Sequence, residues 1–131
     1  MIAGIGTDIV AVSRIARALE RHGGRFGEKV LAPAEQAVCP EGARRANYIA
    51  KRFAAKEAFF KAFGEPPSEA NTWHQLAILN DASGRPRMEF GPLLAELMRA
   101  RGIACWHISL SDEHDYALAY VVLEKAVLEK E

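Results

Sequence analysis

The sequence is poor in cysteine: Cys39 and Cys105 are the only two, at unrelated spacing. That excludes a disulfide framework and a cysteine-based zinc site, and it fits a reducing, cytoplasmic setting. No apolar run approaches the roughly 20 residues that a membrane helix needs. The opening Met-Ile-Ala-Gly-Ile-Gly-Thr-Asp has no basic stretch followed by a long apolar one, which predicts neither a secretory leader nor a membrane partner. There is no internal repeat and no low-complexity tract. Gly4-Ile-Gly6 lacks the third glycine and the setting of a nucleotide-cradling loop, and no P-loop occurs. Net charge is absent too, with 17 basic side chains against 17 acidic ones. What remains is a chain of 131 residues, 50% apolar and 26% charged. Such a chain is too apolar for disorder and long enough to bury a core as one domain over 1–131.

The zero net charge hides an uneven distribution. From Arg14 to Lys61 there are eleven Lys/Arg and five Asp/Glu; from Ala62 to Glu131 there are six and eleven, and Asp8 completes the balance. A basic half favours an acidic partner or a phosphorylated ligand by steering. The same counts also describe a solvated helix face.

Periodicity and turn chemistry predict an α+β fold, a mainly antiparallel sheet with helices packed on one side. Ile2 to Val10 reads as a strand. Ser13 reads as the N-cap of a helix over 14–21 whose Arg14, Arg17 and Arg21 share an outer face. Shorter helices follow near 26–31 and 34–38, and a long one runs from about Arg44 to Phe63, stopped by Gly64. Gly64 to Asn71 is the one strong break. Strands over 73–79 and 87–90 flank a turn rich in turn formers, Asn80 to Pro86. Pro92 opens a last helix, and strands 103–111 and 116–123 close the pattern.

Three groups of residues invite chemistry. On the long helix Ile49, Phe53, Phe60 and Phe63 form an apolar stripe with Lys56 at its centre, Arg52 at one edge, and Glu57 and Lys61 at the other. A lysine inside an aromatic stripe sets local pattern against burial, and such conflicts mark functional sites. Arg52, Lys56, Glu57 and Lys61 together read as a phosphate site with a carboxylate beside it, whereas Glu57 and Lys61 alone would make an ordinary i,i+4 ion pair. Asp8 is the second oddity, the only charged residue among the first thirteen, set in an apolar strand. Asp8 and Glu57 with nearby cations suit a magnesium ion that also holds substrate phosphates. In the third group alternation puts His107, Ser109 and Ser111 on one strand face, with Trp106, Ile108 and Leu110 on the other. The last strand is apolar on both faces, which predicts that another subunit covers one of them.

The pairing of Gly4-Ile-Gly-Thr-Asp-Ile-Val-Ala-Val-Ser-Arg-Ile15 with Arg52-Phe-Ala-Ala-Lys-Glu-Ala-Phe-Phe-Lys61 resembles the holo-acyl-carrier-protein synthase family of small 4′-phosphopantetheinyl transferases. The likeness continues through 19–26, 79–86 and 107–112. It implies that Asp8 and Glu57 hold Mg2+ at the coenzyme A pyrophosphate, with Asp8, Glu57 and Lys61 as the catalytic set. It implies coenzyme A contacts from Arg52, Lys56, Lys61, Gly84, Pro86, His107 and Ser109. Arg14, Arg21 and Arg25 are expected to receive an acidic apo acyl carrier protein, of fatty acid or polyketide synthesis, and the assembly to be a homotrimer with sites between subunits. One region departs: where the family commonly carries a Gly-Thr-Gly type loop, this chain has Gly64-Glu-Pro-Pro, and prolines donate no amide hydrogen bond.

The implied reaction is attack of a carrier serine on the β-phosphate of coenzyme A, releasing 3′,5′-ADP. A metal-bound water ordered by Glu57, or else Lys61, would take the proton. Two other readings of the same residues stand beside it. One is an oligomeric module that binds a nucleotide or RNA without catalysis. The other is a metal-dependent hydrolase built on Asp8, Glu57 and His107.

Overall fold

A computed structural model describes residues 1–67 and 70–127. Strand β1 (Ile2–Ala11) runs straight into helix α1 (Val12–His22), followed by α2 (Gly24–Val30), α3 (Pro33–Ala37), a 3-10 turn at Gly42–Arg44 and the long α4 (Arg45–Phe63). Then come a short α5 (Ala70–His74), β2 (Leu76–Asn80), β3 (Pro86–Phe90), α6 (Pro92–Ala100), β4 (Ile103–Asp112) and β5 (Tyr116–Lys125). The expected α+β class is observed, with the antiparallel strands divided between two sheets. One has three strands in the order β1-β5-β4; the other is the β2-β3 hairpin.

Two local expectations change. Ser13 does not cap α1, which begins at Val12 with Ala11 at the cap position. The first helical amide is satisfied from elsewhere: Val12 N donates to the carbonyl of Asp115 at 2.9 Å, in the turn between β4 and β5. The strand expected from Trp73 starts at Leu76, because Ala70–His74 winds into α5. There Trp73 packs beside Phe53, with ring centroids 5.7 Å apart, so its apolar surface serves helix packing rather than a strand face.

The core lies between α4 and the three-stranded sheet. Ala117, Ala119, Val121 and Leu123 of β5 are fully buried, as are Ala54, Ala55, Ala58 and Phe59 of α4. Small residues let helix and strand come close. A Cβ on Gly4 would lie 1.8 Å from the Ala62 carbonyl oxygen, and one on Gly6 1.9 Å from that of Ala58. The even-numbered residues of β1 thus face α4 with no side chain between. Asp8 is the next residue on that face. Gly64, at φ 88°, ends α4 in the left-handed conformation that favours glycine.

The opposite sheet face is apolar and open. Ile5 and Ile9 of β1 and Leu118 and Tyr120 of β5 are all more than 40% exposed. Cross-strand register joins them into one surface: Ile9 opposes Leu118, and Ile5 opposes Val122.

Candidate active site

The four α4 residues expected to act together are split into two pairs. Lys56 is fully buried, and all three of its ammonium protons are used. Nζ reaches Glu35 Oε1 at 2.5 Å, the Val30 carbonyl at 2.6 Å and the Trp73 carbonyl at 3.1 Å. Glu35, also fully buried, accepts further from the amides of Ala32 and Ile78. Burial lowers the pKa of Lys56, with the Glu35 carboxylate opposing. Arg52 is 3% exposed; its Nε donates to the Ile78 carbonyl and its guanidinium lies 3.9 Å from the Tyr48 ring centroid. The resemblance implied coenzyme A contacts from Lys56 and Arg52. Both are engaged inside the fold, tying α4 to α2, α3, α5 and β2. Pattern exposed the anomaly at Lys56, but its partner Glu35, 21 positions away, carried no sequence signal.

Glu57 and Lys61 belong to a different neighbourhood. Lys61 Nζ donates to Asp8 Oδ1 at 3.0 Å and to the Thr7 carbonyl at 3.1 Å. The lysine thus turns to the strand rather than forming an i,i+4 pair along its own helix. Burial and the like charge of Asp8 push the pKa of Glu57 up, while Lys61 and Arg14 pull it down. Asp8, Glu57, Lys61 and Arg14 are consequently one electrostatic cluster on the β1–α4 seam. Among the described residues no group of three metal-binding side chains occurs. Two mutually repelling carboxylates fit a hard divalent cation, since magnesium needs only one or two and completes its shell with water and phosphate oxygens.

Arg14 joins this cluster to a groove of about 530 Å³. Arg14, His22, Arg25 and Lys29 line its rim, over a floor that includes Ile15, Phe26 and Phe53. The Arg14 guanidinium sits 5.4 Å from the Phe53 ring centroid, within cation–π range. Arg14 and Arg25 thus line one groove. Arg21 is exposed on α1 but does not line the groove. Lys29 and His22 were not foreseen, although the basic count of this segment pointed to them.

A second groove, about 500 Å³, lies along β3 and β4. Pro86, His107 and Ser109 line it together with Arg85, Arg87 and Trp106. The two arginines flanking Pro86 were missed; an Arg-Pro-Arg run beside a strand was their signal. Gly84 does not line this groove. Its φ of 87° closes the turn in which Gly84 N donates to the Asp81 carbonyl. His107 Nε2 stands 3.0 Å from Glu124 Oε2.

Within one chain the two regions do not meet. His107 and Ser109 pair with Val122 and Tyr120, on the sheet face turned away from α4. Asp8 lies on the opposite face, and β5 separates β1 from β4, which puts about 10 Å of sheet between them. The acidic cluster and this groove are therefore separate neighbourhoods of the chain.

The family model of the 4′-phosphopantetheinyl transferase superfamily matches residues 4–121. A holo-[acyl-carrier-protein] synthase of Halorhodospira halophila is 50% identical over 123 residues, covering 94% of this chain and 98% of that protein. The crystal structure of the Neisseria meningitidis holo-[acyl-carrier-protein] synthase superposes with a TM-score of 0.90 at 44% identity, covering 95% of this chain and 100% of that one. The Bacillus anthracis holo-(acyl-carrier-protein) synthase, solved in complex with CoA (3′,5′-ADP), gives 0.80 at 32%, covering 96% of this chain and 99% of that one. These relatives lend no support to a non-catalytic binding module or to a hydrolase. With a family match across most of its length and a relative sharing half of its aligned residues, the chain belongs to the holo-[acyl-carrier-protein] synthase family of the 4′-phosphopantetheinyl transferase superfamily.

Proposed function

We propose that this chain transfers the 4′-phosphopantetheine group of coenzyme A to a serine of an apo acyl carrier protein, in the cytoplasm, as a step supporting fatty acid biosynthesis. The observation that carries this reading is the Asp8–Glu57–Lys61–Arg14 cluster at the mouth of a basic groove with an apolar floor. Such a groove suits an acidic helix that buries a few apolar side chains while its carboxylates meet arginine.

In the reaction the serine Oγ bonds to the β-phosphorus of coenzyme A, the bond from that phosphorus to the bridging oxygen breaks, and 3′,5′-ADP departs with the electron pair. Lys61 exchanges its contacts with Asp8 and Thr7 for phosphate oxygens and donates to the charge that develops there. Glu57 draws the serine proton through an intervening water. Arg14 touches both regions and aligns the incoming carrier with the cluster. Asp8 and Glu57 would hold Mg2+, which when bound neutralises phosphate charge and fixes the diphosphate in place.

The working assembly is a homotrimer. The open apolar face of Ile5, Ile9, Leu118 and Tyr120 supports this reading. So does the separation of the acidic cluster from the groove of His107 and Ser109, where the coenzyme A nucleotide of a neighbouring copy's site would lie beside Arg85 and Arg87.

Mass spectrometry tests the reading directly. Incubated with coenzyme A, Mg2+ and an apo acyl carrier protein, the chain should add one phosphopantetheine to the carrier, and EDTA should stop it. Coenzyme A breakdown with the carrier unmodified would point to hydrolysis, and an unreacted mixture would overturn the assignment.

A further inference from the structure

Beside Glu57 and Lys61 a pocket of about 360 Å³ extends past the end of α4 onto Gly64, Glu65, Pro66 and Pro67. Among the described residues its ionisable lining is Glu57, Glu65 and Lys61, two anions and one cation. Pro66 and Pro67 offer no amide donors. Even with Glu57 occupied by a cation, the Glu65 charge opposes an anionic ligand at Lys61.

Arg101, just after α6, cancels it. Its guanidinium pairs with the Glu65 carboxylate, donates to the Phe63 carbonyl and lies 4.0 Å from the Phe63 ring centroid. One planar cation thus caps the C-terminal end of α4, stacks on its last aromatic residue and holds the first residue of the loop. An isolated surface pair leaves two side chains free to wander; here the guanidinium is fixed by three partners.

We propose that Arg101 is a positioning residue for the anionic substrate: it holds and neutralises Glu65 at the edge of the pocket that receives the diphosphate at Lys61. The proposal rests on the coenzyme A reading of this pocket. Arg101 and Glu65 thereby act as a unit.

The test is steady-state transfer by the full chain at saturating carrier protein, with coenzyme A varied, at low and high salt. Arg101→Gln should raise the KM for coenzyme A about fivefold at low salt, keep kcat within about twofold, and lose most of the effect at about 0.5 M salt. Glu65→Gln alone should leave KM unchanged or lower it, and the double variant should return to the parent value. An unchanged KM in Arg101→Gln overturns the proposal. So does an equal rise with or without Glu65, which would mark a helix cap and nothing more. Should Arg101→Gln not fold, a higher KM in Glu65→Gln overturns it alone. Failure of the parent chain to consume coenzyme A would overturn the substrate reading, and this inference with it.

Discussion

Lys56 and Lys61 stand on one helix, each paired with a carboxylate from a distant segment, and their surroundings oppose each other. Lys56 is sealed in with Glu35, every proton bonded and no surface exposed. Lys61 is half exposed and holds Asp8 at the edge of a pocket. The difference lies in what each partner does besides. Glu35 accepts two backbone amides and is thereby built into the frame. Asp8 sits beside a second carboxylate, Glu57, which weakens that carboxylate's acidity. A fully satisfied, sealed ion pair is architecture, whereas a half-exposed cation beside crowded acids has room to change partners.

Four experiments press on this contrast. Lys56→Met should cost about 3–5 kcal/mol of stability, because it strands a buried carboxylate; urea unfolding measures it, and the Lys56→Met/Glu35→Gln double variant should recover part of the loss. A loss below about 1 kcal/mol would mean that the pair is not structural. Asp8→Ala or Glu57→Ala should cut kcat/KM about a thousandfold with the melting temperature held, and substantial transfer by either would remove the acids from the reaction. Arg14→Glu should raise the KM for the carrier protein about tenfold at low salt, with a smaller change for coenzyme A. Equal effects on both substrates would break the link between groove and docking.

The smallest effect concerns pH. Glu57 has its pKa raised in the fold, so its protonated form is favoured there; the stability it contributes is present at low pH and is lost as pH rises through its folded-state value. Glu57→Gln should therefore raise the melting temperature slightly at neutral pH. Asp8→Asn should lower the Glu57 midpoint, followed by carboxyl-carbon NMR; an unmoved midpoint would show that the two acids do not sense each other.

Much of this contrast was legible in the residues. Alternation along β4 and β5 placed His107 and Ser109 on one face, and the apolar stripe of α4 singled out Lys56. An isolated aspartate in an apolar strand drew attention to Asp8. What stayed hidden depends on long-range contact. The helical spacing of Arg52 and Lys56 resembles that of a ligand site, and only the meeting of α4 with α3 and β2 assigns them to the interior. Ser13 has the chemistry of a cap, but a carbonyl from residue 115 satisfies the helix amide first. Pro86 was visible as a turn residue, whereas the flanking Arg85 and Arg87 matter through the groove they line with β4.

Gly4 and Gly6 govern how closely the first strand and the long helix can meet. With no β-carbon on that side of the strand, main-chain atoms of α4 rest directly on main-chain atoms of β1. That close approach sets how near the Asp8 backbone lies to the helix carrying Glu57. A single methyl group on either glycine would wedge helix and strand apart and carry Asp8 away from Glu57.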